Sequence, residues 1–288
     1  MLQQVLISGL ALGSIYALLA LSMVFIWKTT GVLNFAQGEM AMVTTFFAYT
    51  VMMTLHLSYG LAFVAALVLS LILGVIMERV IRLIPANDHL AAIVLTIGAY
   101  FVVHSIASLI WGHEVWPFPS PFSAEPLVLK KVAISPINFW IFGVMILLTG
   151  GLFAFLNFTT LGIQLRAACQ DPIATILMGI SSKWVLAVSW AIGSLVGTIA
   201  ALLIAPIIHL QVFMMGDVFL KSIAAAVLGG INSLGGAIVG GLVLGIVSNL
   251  FGAYVGSEYQ DSLAFLIIII VLILMPDGIM GRPEAKRV

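Results

Sequence analysis

Leu2-Gln-Gln-Val-Leu-Ile-Ser-Gly-Leu-Ala-Leu-Gly-Ser-Ile-Tyr-Ala-Leu-Leu-Ala-Leu-Ser-Met-Val-Phe-Ile-Trp27 runs without a charge until Lys28. A bilayer core about 30 Å thick is crossed by roughly 20 helical residues, so this stretch reads as a spanning helix. It has no basic region ahead of it and is too long for the apolar core of a signal peptide, so it is expected to be retained. The remaining sequence repeats the pattern. Of 288 residues, 62% are hydrophobic and 8% charged, where soluble domains carry about 25% charge. The 22 charged residues leave long charge-free stretches at 1–27, 40–77, 89–113, 132–165, 184–216, 222–257 and 262–276, together 208 residues. A soluble globular protein is thereby excluded, and the fold class is all-α: a polytopic helical membrane protein.

Full spans are expected at 5–26, 40–55, 60–77, 90–111, 137–157, 184–205 and 262–280. Segment 222–257 is too long for one crossing, since 36 residues would extend about 54 Å. It is expected to break at Gly229-Gly230-Ile231-Asn232-Ser233-Leu234-Gly235-Gly236, giving two short arms or a re-entrant hairpin beside a pathway, because nonhelical backbone at membrane depth must be buried in protein or line a wet cavity. That makes about eight to nine helices in one transmembrane domain spanning 1–288. The proline-rich stretch 112–136 reads as a surface loop. With the N-terminus outside, Lys28, Arg79, Arg82, Arg166, Lys183, Arg282, Lys286 and Arg287 fall on the cytoplasmic side, and Lys130, Lys131 and Lys221 on the other, as the retention of basic residues favours.

Small residues recur at Gly9, Gly13 and Ala17, and at Gly236, Gly240, Gly241 and Gly245. Their spacing suits close helix packing. In the cytoplasmic loop 158–183, Asp171-Pro172 signals a helix start and Gly179 a stop. The intervening two turns put Ile173, Ile176, Leu177 and Ile180 on one face. That face either lies on the bilayer and the chain's own spans or docks a cytoplasmic partner, with Arg166, Gln170 and Asp171 making polar contacts.

Between the first two spans lies Gly31-Val-Leu-Asn-Phe-Ala-Gln-Gly-Glu39. Asn34, Gln37 and Glu39 there would each be costly against hydrocarbon without a partner, so the segment is expected to face the protein interior beside the translocation route. For Glu39 two readings stand: an intramembrane functional acid, or a residue of the first helical turn near the interface, where the helix dipole favours negative charge.

Several classes are excluded. Zero net charge without a basic patch argues against nucleic acid. The single cysteine, Cys169, excludes an internal disulfide; its neighbour Arg166 would lower its pKa, although an isolated cysteine is commonly inert. The five histidines, His56, His89, His104, His113 and His209, lack metal-ligand spacing and read as interfacial or packed residues. No phosphate-binding loop, carboxylate pair or nucleophile elbow occurs, so neither an enzyme nor a bound cofactor is expected.

Gly9-Leu-Ala-Leu-Gly-Ser-Ile-Tyr-Ala-Leu-Leu-Ala-Leu21, the stretch 31–39, Leu95-Thr96-Ile97-Gly98, Leu161-Gly-Ile-Gln-Leu-Arg-Ala-Ala-Cys-Gln-Asp-Pro172 with Met178-Gly-Ile180, and the run 224–241 occur in order across nearly the whole chain. Together they resemble the branched-chain amino acid ABC transporter permeases, in particular the shorter, LivH-like subunit. The resemblance implies an amino-acid importer of the bacterial inner membrane, most naturally for Leu, Ile and Val. It would comprise a related permease subunit, two cytoplasmic ATPase subunits and an extracytoplasmic solute-binding protein. The loop 161–180 would be its coupling element, carried by Arg166, Gln170, Asp171, Pro172, Ile176, Leu177 and Gly179. Asn34, Gln37, Glu39, Thr96, Gly229 and Gly230 would belong to the pathway or its structural frame. The alternative from another class is an ion-coupled secondary transporter that uses Glu39 and needs no ATPase.

Overall fold

Hydrocarbon offers backbone amides no water, so each must find its partner within the chain, and helices do this segment by segment. A computed structural model describes residues 2–85, 88–120, 127–129, 132–275 and 277–281, with backbone alone at 127–129, 132, 133, 172, 173 and 261. Its helices are α1 (Leu2–Thr30), α2 (Gln37–Thr54), α3 (Tyr59–Ile81), α4 (His89–Trp111), α5 (Pro136–Phe158), α6 (Thr160–Gln170), α7 (Pro172–Leu177), α8 (Ser182–Ile208), α9 (Met214–Gly229), α10 (Leu234–Tyr254) and α11 (Gln260–Leu274). Among the described residues, α1, α3, α4, α5, α8 and α10 are long and apolar enough to cross a membrane. The chain is a multi-pass helical membrane protein.

Two compact units emerge. One comprises 1–24, 122–145 and 217–288; the other comprises 25–121 and 146–216. In the second, α3 packs along α8, and α2 lies against both and against α4. A side chain at Gly74 would collide with the backbone at Trp190 and Ala191, so only glycine permits this approach of α3 to α8. Trp190, 1% exposed, anchors a core with Ile26, Ala36, Met40 and Met77. Glu78 is buried and takes a bidentate pair from Arg82, whose Nη2 also donates to the Lys183 carbonyl. Arg82 and Lys183 therefore share one end of this unit.

In the first unit the small residues form a seam. A Cβ on Gly13 would lie 2.9 Å from the Gly241 carbonyl oxygen, and one on Gly241 or Gly245 would strike the backbone of Ala17 or Gly13. Asn249 Nδ2 adds a bond of 2.6 Å to the Val5 carbonyl. The helix-packing reading of these glycines is what the contacts show.

The break expected at 229–236 occurs at 230–233, with Ser233 Oγ capping α10 by accepting from Gly236 N–H at 3.0 Å. Two expectations need correction here. The flanking helices are not two short arms, because α9 begins at Met214 and α10 has 21 residues, about 31 Å. The last span does not reach 280: α11 ends at Leu274, since Met275 precedes a proline and is steered out of the helical region. Its φ of −142° and ψ of 71° reflect this. The chain then returns to the break, where Ile279 N–H donates to Leu228 O at 2.9 Å and Met280 N–H to Gly229 O at 3.0 Å. These bonds satisfy carbonyls that the end of α9 leaves open. Gly230, at φ +104°, has no room for a side chain beside Asp277 and Gly281.

The stretch 112–136 contains more than a loop. Leu127–Leu129 (β1) and Val132–Ile134 (β2) pair antiparallel, with Leu127 opposite Ile134. Likewise the loop 158–183 contains α6 ahead of the expected short helix. Lys130, Lys131, Arg282, Lys286 and Arg287, used in the orientation count, lie outside the described residues.

Candidate functional site

Residues 31–36 are nonhelical and join α1 to α2 inside the protein, with Asn34 and Gln37 fully buried and Glu39 2% exposed. Asn34 Oδ1 accepts from Ala36 N–H at 3.1 Å, the short-range turn bond that asparagine favours. Its Nδ2 donates to Gln37 Oε1 at 2.9 Å and toward Met40 Sδ at 3.6 Å. Gln37 Nε2 donates to the Gly193 carbonyl of α8 at 3.0 Å. About two turns further along α2, the hydroxyls of Thr44 and Thr198 meet at 2.9 Å. The two amides thus fasten the start of α2 to α8.

Three contacts tie this segment to α4 in matching order. Thr96 Oγ1 donates to Ile93 O at 2.8 Å and to Leu33 O at 3.3 Å. His104 Nδ1 lies 3.1 Å from Glu39 Oε2. Trp111 Nε1 donates to Thr50 Oγ1 at 2.8 Å, with its ring stacked on Phe46. Residues 33–50 therefore run parallel to α4, and His104 sits about 10 Å from the C-terminal end of α4 and about 22 Å from its start. Glu39 does occupy the first turn of α2, but that turn lies beside the interior of an apolar helix. Both readings of Glu39 therefore start from the same facts: it opens α2 and it meets His104 of α4.

His104 was not among the residues singled out from sequence; it read as a packed histidine. Its ring lies between Tyr100, with centroids 5.9 Å apart, and Phe213, at 4.9 Å, and Phe213 in turn faces His113 at 6.1 Å. Phe213 was missed as well. The one signal for His104 was an ionisable residue well inside a charge-free helical run, which is a functional flag in a membrane; its partner, 65 positions away, has no sequence signature. Gly229 and Gly230 are not part of this group. They belong to the other unit, and their neighbours are Gly236, Asp277 and Gly281.

A second group lies at α6 and α7. Thr159 Oγ1 caps α6 by accepting from Gly162 N–H at 3.0 Å, and Asp171 Oδ1 caps α7 by accepting from Ala174 N–H at 3.0 Å. Pro172 stands at the first position of α7, where its missing N–H costs nothing. Gly179, at φ +81°, ends the helix: its N–H donates to Ile176 O at 2.9 Å, and Ile180 N–H donates to Thr175 O at 3.2 Å. The helix turns Thr175 inward and leaves Ile176, Leu177 and Met178 exposed at 56%, 82% and 82%. Arg166 Nη1 donates to Asn157 Oδ1 at 2.8 Å, so this arginine braces α6 against the end of α5, while Gln170 is exposed. Burial raises the Cys169 thiol above its ordinary pKa, and the charge that opposes this is Lys28, not Arg166 as its spacing suggested. Among the described residues no cluster of His, Cys, Asp or Glu is arranged to hold a metal.

The chain resembles known proteins along its whole length. The family described as "Branched-chain amino acid transport system / permease component" matches residues 5–272. The high-affinity branched-chain amino acid transport system permease protein LivH of Salmonella typhimurium is 32% identical over 99% of this chain and 97% of its own length. BraD of Pseudomonas aeruginosa, a permease protein of the same description, is 34% identical over the same shares. Among solved structures, PsaBC from Streptococcus pneumoniae in complex with Fab shares the fold, with a TM-score of 0.52 and 14% identity, covering 96% of this chain and 92% of that one. On the extent of these matches, the chain belongs to the permease family of branched-chain amino acid transport systems.

Proposed function

We propose that the protein is the membrane-spanning permease subunit of an ATP-driven importer for branched-chain amino acids in the bacterial inner membrane. It pairs with a related permease subunit, receives substrate from an extracytoplasmic binding protein, and takes its work from two cytoplasmic ATPase subunits through α6 and α7. The observation that carries this reading is the surface of α7. Ile176 and Leu177 at the end of α7 and Met178 in the turn that follows stand out as adjacent large apolar side chains, while Thr175 is the residue turned inward. A six-residue helix is too short to persist without something to lie against, and exposed apolar surface of this kind marks an interaction site. Arg82 and Lys183, at one end of the same unit, fit a cytoplasmic location for it.

Replacing Ile176 and Leu177 together by Ser is expected to leave the permease folded, since both side chains are exposed, and to reduce substrate-driven ATP hydrolysis and uptake in proteoliposomes by an order of magnitude or more. Normal assembly with normal uptake would sink the coupling role. The ion-coupled alternative makes the opposite demand: pH-gradient-driven uptake in vesicles that contain no ATPase.

A further inference from the structure

Glu39 and His104 use only one atom each on the other. The bond joins Glu39 Oε2 and His104 Nδ1; Oε1 and Nε2 bond to no described residue. Both side chains are largely withdrawn from solvent, with relative exposures of 3% and 17%. A buried charge pair strongly favours partners for its remaining lone pair and proton, and this one sits between apolar helices. The hydrogen-bonding needs of Asn34, Gln37 and Thr96 are met locally or by backbone, whereas Glu39 Oε1 and His104 Nε2 lack a protein partner without being sealed off, the fully buried unpaired side-chain atoms among the described residues being Ser194 Oγ and Ser248 Oγ, so the pair is open to a further partner. When the pair holds two protons, whichever of Oε2 and Nδ1 carries the one they share, Oε1 remains an acceptor and Nε2–H a donor. One acceptor beside one donor is the complement of a zwitterion. The ring of His104 continues into Tyr100 and Phe213, and Phe213 is 62% exposed, so an aromatic surface leads from outside the unit to the pair.

We propose that Glu39 and His104 form a subsite for the α-amino acid head group during translocation: Glu39 Oε1 accepts from the ammonium, His104 Nε2–H donates to the carboxylate, and Phe213 with Tyr100 bears the aliphatic side chain. This rests on reading the chain as an amino-acid permease. A zwitterion crossing a region of low dielectric then exchanges water for a preformed partner at each charge.

The experiment measures equilibrium binding to the purified transporter complex, without its binding protein, by saturation-transfer NMR titration. The ligands are L-leucine, 4-methylpentanoate, which lacks the ammonium, and 3-methylbutylamine, which lacks the carboxylate. Wild type is expected to prefer leucine to either analogue by about tenfold or more, the worth of a charge-assisted bond. Glu39→Gln should bring leucine and 4-methylpentanoate within about twofold of each other, and His104→Gln should do the same for leucine and 3-methylbutylamine. These ratios report the head-group contacts and do not move with a general loss of stability. Glu39→Asp is expected to keep the preference for the ammonium. Unchanged ratios in Glu39→Gln, with leucine uptake intact, would overturn the subsite and leave the permease reading standing. A wild-type complex that neither binds nor imports any amino acid would overturn both.

Discussion

Asn34 shows how much one side chain can hold. Its carbonyl oxygen ends the nonhelical linker and its amide orients Gln37, which in turn reaches Gly193 on α8. Asn34→Ala removes both bonds and strands the Ala36 N–H in a buried site, so a loss of about 1–3 kcal/mol is expected. Thermal unfolding in detergent reads it, and an unchanged midpoint would contradict the network. Cys169 carries a different prediction. Because burial lifts its thiol pKa, with Lys28 opposing, the thiolate fraction at neutral pH is smaller than for a free cysteine, and alkylation should be slow there and accelerate as pH rises past the ordinary thiol range. A maleimide rate at pH 7 equal to that of a free thiol would refute this. At this scale the sequence was partly legible. Asn34, Gln37 and Glu39 stood out because polar groups between apolar spans are expensive, whereas His104 and Phe213 acquire meaning only from residues distant in the chain.

Among the elements, α1 and α10 make contact through residues chosen for what they lack. Gly245→Ala would drive a methyl into the backbone at Gly13, and packing of this density resists added volume at about 1–3 kcal/mol. Gly150→Ala, on a face of α5 where nothing lies within 4 Å, is expected to be neutral or to stabilise by up to about 1 kcal/mol. Melting both variants side by side tests the seam; equal effects would mean that α1 and α10 do not meet as described. The small-residue spacing was visible in the sequence, but not which glycines face which. The stop at Leu274 could have been found from Met275-Pro276, yet the return of 277–281 to the end of α9 could not, because backbone pairing leaves no mark on side-chain chemistry.

For the whole molecule, orientation is the open quantity that experiment decides most directly. Eight basic residues against three predict that the N-terminus and residue 120 lie outside and the α6–α7 region inside. On a Cys169→Ser background, cysteine at 120 is expected to react with an impermeant reagent added to whole cells, and cysteine at 170 only after the membrane is opened. The reverse pattern would invert the topology and remove α7 from reach of any cytoplasmic ATPase.

Composition and charge spacing alone determined that this is a helical membrane protein, where its helices broadly lie, and that 158–183 carries a capped helix, because water, lipid and helix termini act on residues through hydrophobicity, local hydrogen bonding and backbone preference. Tertiary structure alone decided that the first turn of α2 sits beside the interior of α4, that Glu39 meets His104, and that the glycine break closes on the C-terminal segment. Each of those is a pairing between positions far apart in sequence, and its energy depends on distance and solvent exclusion that exist only once the helices have packed.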